Sequence, residues 1–226
     1  MEKTNNVSGL SPLSLPKRVF LIFLRTFFRL LYHQFAWTYD WVASLVSLGA
    51  WQKWVLAVLP FVDSPRTLEI GYGPGHLLTG LYQKGINAYG FDESYQMEQL
   101  AKKRFKRFGL RPILIRGDAQ TLPFADESFQ QVVMTFPAEY ILKSATLSEI
   151  RRVLIKGGAA LVLPFAWITG RKPWERLAAW VSRVTGEAPE WDERALDPLK
   201  KVGFEVSWEL INFHSSKIVL IHLLKS

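Results

Sequence analysis

Along the chain, apolar positions recur with two different periods, and the change of period divides it. From residue 17 to residue 60 the spacing is helical, and it predicts helices over 17–35, 41–47 and 50–58, with a break around Thr38–Asp40. From Arg66 onward, short apolar runs alternate with helical patterns. The runs Thr67–Ile70, Ala88–Phe91, Pro112–Ile115, Gln131–Phe136 and Ala159–Pro164 predict strands. Between them, helices are predicted over Gly75–Lys84, Tyr95–Phe108 and Thr146–Ile155. Gly85 and Gly109 stand where helix-ending glycines belong, and Thr146 with Glu149 has capping-box spacing. Strand–helix alternation of this kind predicts an α/β fold, a mostly parallel sheet with helices on both faces. Residues 165–191 read as a helical insertion, with Pro173 at a first helical turn, and a further helix is expected over Asp192–Val202. Phe204–Phe213 and Lys217–Leu224 predict a closing antiparallel hairpin. The expected organisation is therefore a flexible leader (1–15), a helical N-terminal extension or lid (16–61) and an α/β domain (62–226).

The segment from Pro16 to Trp41 is aromatic-rich and dotted with arginine. Arg25 and Arg29 break the roughly 20-residue apolar run that a spanning helix needs. At about 100° per residue, Arg18, Arg25, Arg29 and His33 fall on one narrow strip, and phenylalanines and leucines cover the rest. Such a helix suits the interface of an anionic membrane; the other reading is a helix clamped between the domain and a lid or partner subunit. The expected location is the cytoplasm, peripheral on the inner face of the membrane through residues 17–35.

Composition sharpens the picture by exclusion. The 226-residue chain has no cysteine, which removes a disulfide scaffold, a thiolate zinc site and a cysteine nucleophile. Four scattered histidines without H-x-x-x-H spacing predict no metal site. A net charge of +8 favours anionic partners.

The chemistry-bearing stretch is Thr67-Leu68-Glu69-Ile70-Gly71-Tyr72-Gly73-Pro74-Gly75-His76, in which a strand enters a loop with alternate glycines and a helix opens beyond it. Backbone N–H groups can approach a ligand there, and the helix N-terminus favours negative charge. Asp92 ends the second strand, where an acid accepts from both hydroxyls of a ribose. Asp118 follows the third strand, where its carboxylate can meet an adenine amino group, with the Ala119 N–H on a ring nitrogen. A dinucleotide fingerprint would need Gly or Ala at the position of His76.

This set resembles the class I S-adenosylmethionine-dependent methyltransferases, whose E-x-G-x-G-x-G motif is matched by Glu69, Gly71, Gly73 and Gly75. The family's ribose acid matches Asp92 and its adenine acid Asp118. Leu122–Phe129 resembles the family's lead-in to strand four, and Glu149–Gly158 its approach to strand five. The resemblance spans about residues 62–164 and implies a Rossmann-like, seven-stranded sheet with S-adenosyl-L-methionine as cofactor. Ala36-Trp37-Thr38-Tyr39-Asp40 resembles the A-x-x-Y-D element of methyltransferases of the ubiquinone and menaquinone pathways, which implies that Tyr39 is a donor-binding residue. It also implies a small, hydrophobic acceptor. Methyl transfer from an activated donor requires positioning and removal of a proton. Candidate bases are Glu139, His33, His76 and Asp40. There is no N-P-P-[YF] after strand four. Two other readings stand beside this one: an RNA methyltransferase that uses the basic surface Lys102–Arg107, and a catalytically silent binding protein of the same fold.

Overall fold

The computed structural model describes residues 50–137, 143–170 and 196–226. The expected helices over 17–35, 41–47 and 173–184 lie outside these residues, as do Tyr39 and the candidate bases His33, Asp40 and Glu139.

A sheet forms the middle of the fold, in the order β3-β2-β1-β4-β5-β8, with β6 and β7 both paired to β8. Here β1 is Thr67–Ile70, β2 Tyr89–Asp92, β3 Ile113–Arg116, β4 Phe129–Thr135, β5 Leu154–Leu163, β6 Ala166–Ile168, β7 Glu205–Phe213 and β8 Ser216–Leu224. The first five strands are parallel, and β8 runs antiparallel to β5, β6 and β7. All four residues of β1 are buried, as expected of a central strand covered on both faces. Between β1 and β4 the strand order reverses, and such a crevice at the carboxyl ends is where open α/β sheets bind ligands.

Among the described residues the sheet has eight strands rather than seven. The additional one, β6, continues β5 beyond Pro164 and Phe165. From the Val162–Ile221 pair to the Ala166–Ile218 pair the chain advances four residues on one side and three on the other, which is a one-residue bulge. Pro164 supplies no N–H for a ladder there. The bulge reverses which core each side chain enters. Ala160 and Val162 join the core around Leu147 and Ile150, whereas Ala166 joins the opposite one around Leu77 and Leu81.

Helix α1 (Trp51–Leu56) and a short 3-10 turn (Leu59–Phe61) pack Trp54, Val55 and Val58 into that second core. The Gln131 amide fastens this segment to β4, accepting from the Asp63 and Ser64 N–H groups and donating to the Phe61 carbonyl. Helices α2 (His76–Gln83) and α3 (Tyr95–Arg107) cover the same face. Ser94 caps α3 by accepting from Met97 N–H, and Arg104, Lys106 and Arg107 stand in its last turn, where the dipole favours cations. Gly85 and Gly109 end α2 and α3 with φ of 84° and 66°.

Helix α4 (Ser144–Val153) departs from the expected capping box. Its N-cap is Lys143, and Thr146 sits a turn inside, fully buried. Glu149 is instead taken by Arg152 and by the Leu122 N–H. β5 also begins earlier than expected, at Leu154, where the helical pattern was read to continue to Ile155. Helix α5 (Asp197–Lys201) is the described part of the helix expected over 192–202.

Candidate active site

Four strand ends, those of β1, β2, β3 and β4, build a cleft of about 790 Å³. β1 contributes the glycine loop, β2 contributes Asp92, and β4 contributes Thr135, Phe136 and Pro137. Gly71, Gly73 and Gly75 have φ of 72°, 52° and 79°, a region that side chains with a Cβ resist, so the loop's shape requires glycine. At Gly75 there is also no room: an added Cβ would lie 3.1 Å from Ala101 Cβ and 3.2 Å from Phe105.

Asp92 organises the loop from the neighbouring strand. The Gly73 N–H donates to its Oδ2 at 2.8 Å, and the Ser94 N–H donates to its Oδ1 at 2.8 Å. Burial raises its pKa above the ordinary value, and the two amides work against that rise. Glu69 is 1% exposed, and one of its oxygens has no hydrogen-bond partner. Burial, then the charge of Asp92, lifts Glu69 well above the usual carboxylate range, while the Leu78 amide opposes the shift. The Tyr72 phenol is also pushed up, by burial and then by Asp92.

Asp118 and Ala119, just past β3, also line the cleft. Asp118 is exposed; the Gln120 N–H donates to its Oδ1 at 2.8 Å, and the Gln120 side-chain amide reaches both oxygens at 3.2 and 3.0 Å. These bonds hold its carboxyl below the usual range. The polypeptide beyond it is clamped by Arg152, whose guanidinium donates to the Leu122 and Phe124 carbonyls, to Asp126 and twice to Glu149.

Of the expected site residues, Gly71, Gly73, His76, Asp92, Asp118 and Ala119 line the cleft. Glu69 and Gly75 are packed beneath it. His76 is nine-tenths buried, and its Nε2 meets the Arg104 guanidinium at 3.1 Å. Arginine only donates, so Nε2 carries no proton, and the ring ties α2 to α3. Arg104 also donates to the Pro74 carbonyl at 2.8 Å, which fixes the loop from the same side.

Sequence reasoning missed the far wall. Trp51 stacks on Phe136 with ring centroids 4.1 Å apart, and Phe136 adopts φ of 49°, a strained conformation for a bulky residue. Its N–H donates to the Leu163 carbonyl at 2.6 Å. Lys143 lies on the same cleft. No local pattern pairs Trp51 with Phe136.

Comparison with known proteins agrees with this geometry. The family described as "Methyltransferase domain" matches residues 68–162, from β1 through most of β5. Residues 68–162 thus carry a methyltransferase domain, and the chain is similar to the class I S-adenosylmethionine-dependent methyltransferases. Among relatives of this methyltransferase, the demethylmenaquinone methyltransferase of Thermotoga maritima is 27% identical over 217 residues, covering 84% of this chain and 93% of that one. The phosphatidylethanolamine N-methyltransferase of Cereibacter sphaeroides is 35% identical over 101 residues, 43% of this chain and 49% of that one. In fold, the methyltransferase is similar to the phosphoethanolamine N-methyltransferase 2 of Haemonchus contortus, at a TM-score of 0.62 and 20% identity over 89% of this chain and 60% of that one.

Proposed function

We propose that the cleft binds S-adenosylmethionine and that the enzyme passes its methyl group to a small lipophilic acceptor. The observation that carries this reading is Asp92. Two backbone amides take one site on each of its oxygens, and an ionised carboxylate offers about four, so acceptors remain for two ribose hydroxyls. The cleft's volume suits a ligand of nucleoside size. Asp118 would accept from the adenine amino group and Ala119 N–H would meet a ring nitrogen; the Gln120 amide now on Asp118 would give way.

When bound, S-adenosylmethionine supplies a methyl group on a sulfonium, already activated for transfer. The protein's part is to place an acceptor and to keep water out. Trp51, Val55 and Phe136 give the cleft an apolar, aromatic wall, which supports a lipophilic acceptor. The demethylmenaquinone and phosphatidylethanolamine named for the two relatives are both lipophilic molecules. His76, tied to Arg104, orients the loop, and proton removal falls to Glu139, His33 or Asp40. Residues 17–35 would bring the enzyme to the membrane that holds such an acceptor.

Calorimetric titration with S-adenosylmethionine tests the donor half. Each lost bond to a charged acceptor is worth about 1.5–3 kcal/mol, so Asp92→Ala should weaken binding by at least about tenfold. Equal affinity in both proteins, or binding by neither, would remove the reading. Transfer of labelled methyl into a lipid-soluble extract rather than into total RNA tests the acceptor half; label confined to RNA would reverse it.

A further inference from the structure

We infer that the β3 edge of the sheet, which reaches the rim of the cleft at Tyr95, is a docking surface for an anionic phospholipid bilayer, built from residues other than 17–35. From Gln99 to Gly117 the chain has no acidic residue and seven Lys or Arg: 102, 103, 104, 106, 107, 111 and 116. The structure sorts them. Arg104 turns inward to Pro74 and His76, Lys102 pairs with Glu98 at 2.5 Å, and Arg116 lies over the Tyr95 ring at 5.5 Å. Lys103, Lys106, Arg107 and Arg111 are exposed and make no ion pair among the described residues.

These cations flank apolar surface. Among the described residues five large hydrophobic side chains are exposed, and three of them, Tyr95, Phe108 and Ile113, lie on α3, just past its end or on β3. At about 100° per residue, Tyr95, Gln99, Lys102 and Lys106 share one flank of α3, and the Arg116–Tyr95 contact turns that flank toward β3. Among the described residues β3 pairs with β2 alone and closes this side of the sheet. The face therefore runs from Tyr95, on the rim of the cleft, to Phe108 and Arg111 at the opposite end of α3.

Charge complementarity selects an anionic partner, and the apolar side chains select a bilayer over a polynucleotide. A phosphate backbone would satisfy the cations and leave Ile113 in water, since an aliphatic chain offers a base no ring to stack on. A headgroup interface accepts both, with cations at the phosphates and Phe108 and Ile113 at the acyl boundary. Docking by this edge would bring the Tyr95 rim of the cleft to the headgroups.

The test uses the full chain with vesicles of phosphatidylcholine, with and without phosphatidylglycerol. Joint substitution Lys103→Glu, Lys106→Glu, Arg107→Glu and Arg111→Glu should lower partitioning onto the anionic vesicles by about a thousandfold, with S-adenosylmethionine affinity unchanged. Because the chain lacks cysteine, Ile113→Cys and Ser207→Cys each give one labelling site, on opposite edges of the sheet. A polarity-sensitive dye at 113 should shift when anionic vesicles are added, and the same dye at 207 should not. Undiminished partitioning of the charge-reversed protein, or equal dye responses at the two edges, would overturn the inference. So would single-stranded RNA that displaces the protein from vesicles through these same residues, or a dimer that the substitutions dissociate.

Discussion

Replacing Arg152 should loosen the side of the cleft that carries Asp118, and the structure sets the size of the effect. All of the guanidinium's hydrogen bonds converge on one short stretch and on the helix behind it. Arg152→Ala strips a charged donor from the half-buried Leu122 and Phe124 carbonyls, at about 1.5 kcal/mol each. The Glu149 pair, with side chains 30% and 20% exposed, adds roughly 1 kcal/mol, and Asp126, 75% exposed, adds almost nothing. Water reaching the exposed side returns part of this, which leaves a loss of about 3 kcal/mol. In a protein of this size that lowers Tm by about 6–12 °C. Arg152→Lys keeps the charge without the planar fork and should lose about half as much. Urea titrations of the three proteins measure the differences. The pH dependence has a definite sign. Arg152 holds the Glu149 carboxyl below its ordinary value, so the pair's contribution is complete above that value and is lost as pH falls through the depressed one. The gap between wild type and Arg152→Ala should therefore narrow in acid. The Thr121 N–H donates to the Asp118 carbonyl at 3.0 Å, so the clamped stretch adjoins the residue proposed to meet adenine, and donor affinity should weaken several-fold. A loss below about 1 kcal/mol for Arg152→Ala, or a gap that ignores pH, would refute the reasoning.

Glu69→Gln should stabilise the protein more at pH 8 than at pH 5: the native carboxyl is raised, so its ionisation costs stability as pH climbs through that range, and thermal melts at the two values read the difference. Gly75→Ala should cost about 2–4 kcal/mol, because it meets both a left-handed φ and the Ala101–Phe105 surface, whereas Gly85→Ala, with open space around it, should cost about 1–2 kcal/mol; chemical denaturation separates the two. Phe23→Asp with Phe27→Asp should release the protein from anionic vesicles in flotation assays and leave donor affinity nearly unchanged, if residues 17–35 lie in the interface. Activity should be insensitive to a chelator, measured with labelled donor.

The parallel half of the fold was legible because its signals are local. β1 occupies Thr67–Ile70 as the apolar run implied, and α3 starts at Tyr95 directly behind a capping serine. The glycine loop and Asp92 were legible for the same reason, since a strand end followed by alternate glycines constrains the backbone within a few residues. What escaped depends on distant partners. Thr146 reads as a cap, yet the helix begins earlier because Thr146 is drawn into the core beside Leu147 and Ile150. Glu149 reads as its mate, yet a guanidinium and an amide from the opposite loop outbid that role. β6 is three residues long and exists because β8 offers it a ladder, which no property of Ala166–Ile168 announces. No helix among the described residues is long and apolar enough to cross a membrane.

The two amides that hold the Asp92 carboxylate also bear on time. A side chain that must first find its rotamer slows capture and weakens it by the freedom it gives up on binding. Here the oxygens are already aimed by Gly73 and Ser94, one from each flanking loop, so the encounter with a nucleoside asks for no rearrangement at this point. Variants that spare these bonds should then differ in how long the ligand stays rather than in how fast it arrives. For an enzyme that must exchange a spent donor for a fresh one at every turnover, an acid that holds the ribose as proposed is a fixed mooring, aimed before the donor arrives.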